Sequence, residues 1–374
     1  MIINVSRNDF YTNIATLQNV TSKKGTIAIL ANILIETGVD SIILTATDLE
    51  VGIRTEIPAE ILTPGSITLP SRKLFEMIRE INDDHIHLEV FENKWAKIST
   101  LSGNYNISGT DSEEYPSLPE FNKDILSSVS CDIVTEAIDK TNFSIAQDND
   151  NQFNLMGVLF EKEIREDKNY LRLVSSDGHR LSLFEREFDT DVSKLVIDTI
   201  VLIPKKGITE IRKICEHNDF VEIGFENKQA IIKSDKTIII IRLLNGEFPN
   251  YRNIFKSINK NSYIEIDRLN FISSMKRINL FTEDLYNSVH FNFSDHKLIL
   301  TSQNMDIGSA TEELPINYSG QSLNLGFNGK YFVEALQVMN SEKIKAYINS
   351  EKSPCLIEGD DDPGFMSIIM PMKI

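Results

Sequence analysis

The chain of 374 residues carries 38 basic and 55 acidic side chains, a formal net charge of −17. That length exceeds what one hydrophobic core usually serves and predicts two or three domains, and 41% hydrophobic with 25% charged residues excludes a disordered or fibrous chain. The net acidity argues against a generic polyanion binder, whose affinity comes from Lys and Arg neutralising phosphates. The start, Met1-Ile2-Ile3-Asn4, lacks the basic residues and apolar core of a signal peptide. The densest apolar run, Ile238 to Ile241, is far too short for a membrane span. Cys131, Cys215 and Cys355 are odd in number and widely spaced, which suits neither a disulfide framework nor a zinc knuckle. The expected setting is cytoplasmic, soluble and reducing.

Taken in chain order, the elements repeat. Residues 7–20, with Phe10, Ile14 and Leu17 on one stripe, predict an amphipathic helix. Leu44-Thr-Ala-Thr-Asp48 follows, then a strand entering a helix at Ile67-Thr-Leu-Pro70 and residues 71–81. The alternating Ile86-His-Leu-Glu-Val90 reads as a half-buried strand, followed by Phe91-Glu-Asn-Lys94 and Tyr115-Pro116-Ser117-Leu118. The second pass gives a helix over 131–145 with Ile133, Val134, Ala137 and Ile138, then Leu173-Val-Ser-Ser-Asp177. Val201-Leu-Ile-Pro204 leads into a helix over 205–216, and Phe225-Glu-Asn-Lys228 and Phe248-Pro249-Asn250-Tyr251 come next. The third pass gives a helix over 268–280 with Phe271, Met275 and Ile278, the alternating His290-Phe-Asn-Phe293, and Leu300-Thr-Ser-Gln-Asn304. Leu323 to Phe327 then enters a helix over 330–340, and Tyr347-Ile-Asn-Ser350 is a weak third echo. The three leucine motifs are offset by 129 and 127 residues. An aromatic followed by Pro suits a chain leaving a sheet edge. Each copy therefore holds two helices on antiparallel sheets, an α+β domain, with copies over 1–124, 125–256 and 257–374.

These residues carry a resemblance. The sequence resembles the bacterial sliding clamps, the beta subunits of DNA polymerase III, along its whole length. The motifs are Thr47-Asp48-Leu49-Glu50, Asn154-Leu-Met-Gly157-Val-Leu-Phe160-Glu161, Ser176-Asp177-Gly178-His179-Arg180-Leu181, Ile203-Pro204-Lys205-Lys206-Gly207, Phe248-Pro249-Asn250-Tyr251-Arg252 and Met370-Pro371-Met372-Lys373-Ile374. The resemblance implies three tandem clamp domains closed head to tail with a second copy into a ring. Such a homodimer encircles duplex DNA without sequence specificity, slides along it and tethers the replicative polymerase, the clamp loader and other clamp-binding proteins. No cofactor, metal or membrane is implied. The six predicted helices, which the ring would place inside, carry +4 over 76 residues, against −21 over the other 298. A weakly positive bore suits a sliding tether, since many tight phosphate contacts would arrest it. Basic residues on solvated helix faces would give the same count.

The resemblance implies DNA contacts at Lys24, at Arg72, and at the loop position of Asn149, Phe153 and Asn154. Here Phe153 keeps a stacking ring without a hydroxyl, and Asn154 replaces an aromatic. Lys205, Lys206, Arg212, Lys276 and Arg277 are lining candidates from charge and helix position. The implied peptide pocket lies between the second and third domains, at Leu155, Ser176, Gly178, His179, Arg180, Leu181, Pro249, Ile254, Tyr331, Ile368, Met370, Pro371 and Met372. Leu, Ile, Pro and two Met make an apolar trough, with Arg180 and His179 as polar edges. Tyr105 and Ile107, against Leu280 and Phe281, match the family's ring-closing edges, with Ser102 and Asn104 where some relatives carry arginines.

Enzymatic alternatives are weaker. Ser176, Asp177 and His179 are close neighbours in sequence and rarely point at a common centre. His85 and His87 share a strand face without an evident third ligand. Asp360-Asp361-Asp362, followed by Pro363-Gly364, reads as a solvated turn rather than a Mg²⁺ site. No nucleotide-binding glycine motif occurs. The expectation is a protein with no catalysis of its own.

Overall fold

The computed structural model describes residues 1–374 except 23–26, 148–152, 167, 189–194, 198–199, 284–286 and 374. The first copy runs β1 (Ile2–Ser6), α1 (Arg7–Leu17), β2 (Asn32–Thr37), β3 (Ser41–Thr47), β4 (Val51–Thr63), β5 (Ser66–Pro70), α2 (Ser71–Glu80), β6 (His85–Val90), β7 (Trp95–Ser99) and β8 (Asn104–Ser108). The central copy repeats that order as β9 (Ser127–Ser130), α3 (Cys131–Asp139), β10 (Gly157–Arg165), β11 (Lys168–Ser176), β12 (Arg180–Glu187), β13 (Val201–Pro204), α4 (Lys205–Cys215), β14 (Phe220–Glu226), β15 (Gln229–Ser234) and β16 (Thr237–Arg242). After α5 (Tyr251–Ser257), the last copy runs β17 (Ile264–Asp267), α6 (Arg268–Asn279), β18 (Ser288–Ser294), β19 (Lys297–Asn304), β20 (Gly308–Pro315), β21 (Leu323–Asn328), α7 (Gly329–Gln337), β22 (Lys343–Tyr347), β23 (Cys355–Gly359) and β24 (Phe365–Ile369).

The helices start where short polar side chains cap them. The Asp267 carboxylate accepts the Asn270 amide at 2.8 Å and the Asn328 side chain accepts the Lys330 amide at 3.0 Å. They end earlier than periodicity suggested. The helix expected over 131–145 stops at Asp139, where the Thr141 hydroxyl donates back to the Ala137 carbonyl at 2.7 Å and a separate 3₁₀ turn occupies Asn142–Ser144. The aromatic-Pro exit after the central copy is itself followed by a helix, α5. Tyr251 is drawn into the apolar cluster of this region, with Phe248 and Phe255 edge-on to its ring.

The leucine motifs owe their sequence to a turn. Asp48 Oδ1 accepts the Glu50 and Val51 amides at 3.0 and 2.9 Å, and Asp177 Oδ1 accepts those of His179 and Arg180 at 3.0 Å each. Asn304 Oδ1 does the same for Asp306 and Ile307 at 2.9 and 3.3 Å. Each carboxylate or amide imitates a backbone turn and closes the hairpin to the next strand. The Ser176-Asp177-His179 trio is thereby committed to turn geometry.

The chain folds as two compact units, one of residues 1–130, 191–196 and 209–243, the other of residues 131–190, 197–208 and 244–374. Neither is a single copy, because sheets run across the copy junctions. In the first unit β5-β2-β3-β4 continues from β4 into β16-β15-β14-β9, and β4 also pairs β1 of the β8-β7-β6-β1 set. In the second, β13-β10-β11-β12 continues from β12 into β24-β23-β22-β17, and β20-β19-β18-β21 forms a separate sheet. Both junctions are antiparallel and five pairs long. One runs from Val51↔Ile241 to Thr55↔Thr237, the other from Arg180↔Ile369 to Phe184↔Phe365. Each begins three residues after its turn aspartate. β20 and β8 are the counterparts of these joined strands, and each is paired on one side only among the described residues.

The cores follow the alternation read from sequence. Ile86 and Leu88 are buried, as are Phe291 and Phe293. In the last copy Phe271, Phe291, Phe327 and Phe332 pack edge-on or tilted between α6, α7 and the sheet, with centroids 5.1 to 6.2 Å apart. Full burial of each such side chain stabilises the fold by roughly 1.5–3 kcal/mol. One polar reading is overturned. Asp362 is buried, not solvated, and its carboxylate accepts from Lys140 Nζ at 2.9 Å and from the Asn340 and Ser341 amides. Asp360 and Asp361 remain exposed.

Candidate functional site

The second junction brings several of the expected pocket residues together. Leu181 and Ile368 are direct cross-strand partners and share one apolar cluster with Leu159, Tyr251 and Leu356, against which Ile254, Phe248 and Met366 pack. Leu155 is buried but is not a member of that cluster. The terminal segment is pinned on both sides: the Met370 amide donates to the His179 carbonyl at 2.9 Å, and the Met372 amide to the Gly326 carbonyl at 2.7 Å. Met370 keeps 38% of its surface exposed, and Pro371 and Met372 are half-buried. Gly178 sits at φ +85°, a left-handed turn position that favours glycine. His179 and Pro249 are exposed, and Ser176 donates to the Arg180 carbonyl at 2.7 Å inside the turn.

Arg180 is not a polar rim. It is buried, its Nε donating to Asp177 Oδ2 at 3.0 Å and one terminal nitrogen to the Phe143 carbonyl at 2.5 Å, while the other pairs with Glu334. Its guanidinium lies 4.3 Å from the Tyr331 ring centroid. A buried planar cation bonded through all three nitrogens and lying over an aromatic ring ties the turn after β11 to α7. Sequence reasoning missed its partners Phe143 and Glu334, because they lie 37 and 154 residues away. It also missed Lys140, which clasps Asp362 and lies over the rings of Phe184 and Phe365, the last pair of the junction.

The basic candidates divide. Lys24 and Asn149 lie outside the described residues. Arg72 opens α2 and pairs with Glu76 one turn on, at 3.0 Å, with most of its side chain in solvent. Phe153 is 72% exposed, and Asn154 Nδ2 donates to the Glu247 carbonyl at 2.6 Å. Lys205 is exposed and Lys206 half-buried at the start of α4, where Arg212 pairs with Glu216. Lys276 is exposed on α6. Arg277 is turned to β20, where Nε and a terminal nitrogen donate to Glu312 at 2.7 and 2.6 Å. That bond holds the Glu312 carboxyl below its ordinary value.

At the open edges, Tyr105 is partly exposed on β8, whereas Ile107 is buried in its own sheet. Ser102 donates to Asp83 at 2.7 Å and Asn104 accepts from Ser99 at 2.8 Å, so both are satisfied within the first copy. Leu280 is 70% exposed after α6, and Phe281 is half-buried, its carbonyl accepting the Ser302 hydroxyl at 2.9 Å.

Three copies of one fold, joined through shared sheets, define a repeat-built protein of clamp architecture. The sequence matches the N-terminal, central and C-terminal domain models of the DNA polymerase III beta subunit over residues 1–119, 128–250 and 257–373, and the chain belongs to that family. It is 27% identical over 370 residues to the beta sliding clamp of Chlamydia pneumoniae, covering 99% of this chain and 98% of that one. It is 26% identical over 378 residues to that of Haemophilus influenzae, with both chains covered in full. Among solved structures, the Caulobacter crescentus sliding clamp superposes with a TM-score of 0.92 at 25% identity, covering 100% of both chains. A Bartonella birtlesii sliding clamp bound to griselimycin superposes with a TM-score of 0.91 at 25% identity and the same coverage.

Proposed function

We propose that the protein is the processivity clamp of a replicative DNA polymerase, a homodimeric ring around duplex DNA that holds partner proteins through the trough at its second junction. The observation that carries this is the agreement of the two junctions within the chain, which leaves β20 and β8 as the matching unfilled pair. Leu44, Leu173 and Leu300 face Thr55, Phe184 and Glu312 across their hairpins. Thr55 and Phe184 in turn pair across the junctions with Thr237 and Phe365. In the equivalent hairpins, Trp95 faces Ser108 as Gln229 faces Arg242. Carried to a second copy, this frame sets Glu312 opposite Gly103 and Ala310 opposite Tyr105. Joining the edges continues one sheet across two chains and covers two otherwise adhesive borders.

The copies then serve as domains over 1–124, 125–256 and 257–374, with the helices toward the DNA and retention by enclosure rather than by affinity. The protein has no catalysis of its own and works in the cytoplasm. Among the described residues no helix is long and apolar enough to cross a membrane. After loading by the clamp loader, the protein should stay on a nicked circular plasmid and leave once the plasmid is linearised; equal retention on both forms would exclude enclosure.

A further inference from the structure

The first junction holds a cavity of about 530 Å³ to which the function above gives no role. Its frame repeats that of the trough. The Asp48 turn stands where the Asp177 turn stands, Tyr115-Pro116 where Phe248-Pro249 stands, and the Arg242 amide donates to the Glu50 carbonyl at 2.8 Å as the Met370 amide does to that of His179. Among the differences between the two frames, Leu49 replaces Gly178, Glu50 replaces His179, Gly52 replaces Leu181 and Arg242 replaces Met370. The backbone has not adjusted to the first change. Leu49 holds φ +74°, a conformation that costs an L-residue about 1 kcal/mol or more, and still leaves half its side chain in solvent. Opposite it, Leu118 closes over Gly52, where an added Cβ would come within 2.3 Å of its methyl group.

Charge makes the second distinction. Glu50, Lys228 and Arg242 are the charged lining residues, and neither Lys228 nor Arg242 forms an ion pair among the described residues, in a chain of net charge −17. Two uncommitted cations beside an apolar wall complement a ligand that joins carboxylates to an aliphatic or aromatic anchor.

We infer that this cavity is a second docking site for a short acidic peptide tail of a partner protein, its anchor side chain against Leu49 and Leu118 and its carboxylates on Arg242 and Lys228. The inference rests on reading the second junction as a peptide trough. Isothermal titration of the full-length protein with the probe peptide Gly-Leu-Phe-Asp-Asp-Glu separates the two. Two peptides per chain are expected for wild type, one for the double variant Lys228→Glu/Arg242→Glu, and one for Met370→Asp. The neutral variant Lys228→Gln/Arg242→Gln should weaken the first-junction site at least tenfold, with unchanged thermal unfolding. One peptide per chain, abolished by Met370→Asp and untouched by the charge reversals, would overturn the second site and leave the trough standing. One peptide abolished by the charge reversals alone would uphold the second site and remove the trough. No binding at millimolar probe would overturn the inference.

Discussion

Asp362 ends an acidic run before Pro363-Gly364, a composition that signals a solvated turn, yet its carboxylate is enclosed by Lys140, the Ser341 hydroxyl and two amides. Burial pushes this carboxyl up, but Ser341, Asn340 and Lys140 outweigh burial and hold it below its usual value. A carboxylate depressed in the folded state contributes stability above its unfolded pKa of roughly 3.9, and that contribution is lost as pH falls through the folded value. Lys140 retains Glu136 at 3.1 Å if Asp362 is changed. Asp362→Asn should therefore cost about 3 kcal/mol in urea unfolding at pH 7, and the difference from wild type should close in acid. Composition could not announce this, because an isolated aspartate and one with a lysine 222 residues away read alike. Arg180 teaches the same lesson. Its place in the motif was legible, but the carboxylate and rings that bury it come from distant segments.

At the scale of elements, most of the chain was legible because strand and helix periods are local. The repeated Leu-to-Asp segments proved to be hairpins closed by side-chain turns, and the six amphipathic stretches proved to be helices. Their ends were misjudged where a threonine hydroxyl or a 3₁₀ turn competes with the next helical bond, and α5 was missed because the packing of Tyr251, not its own sequence, decides it. The junction register was not legible, since pairing between strands some 190 residues apart leaves no local mark. It now makes a specific prediction. With Tyr105→Cys and Ala310→Cys in one chain, mild oxidation should covalently close the dimer, because antiparallel Cα partners lie within disulfide reach. The native cysteines are buried and should stay inert. Denaturing electrophoresis showing only monomer, beside a control pair shifted by one residue, would reject the register.

For the whole molecule, where the charges sit matters more than their sum. A net charge of −17 argued against nucleic acid, yet the excess acid lies off the helices, which are mildly basic. Arg72, Arg212 and Arg277 each pair with a carboxylate, which lowers the effective positive charge further. Raising salt from 50 to 200 mM should therefore change residence on closed circular DNA less than about twofold, where a protein making 6–10 phosphate contacts would lose about 10³–10⁵ in affinity; half-lives on the plasmid at the two salt concentrations measure it. The two filled junctions also have a consequence for how such a ring comes apart. Their strands are tethered by the same chain, so each meets its mate at an effective concentration in the millimolar range, whatever the protein's abundance. In the proposed ring the β8–β20 seam has no tether and obeys mass action. Dilution therefore acts on that seam alone, and a loader that must open the circle has a predetermined place to pull.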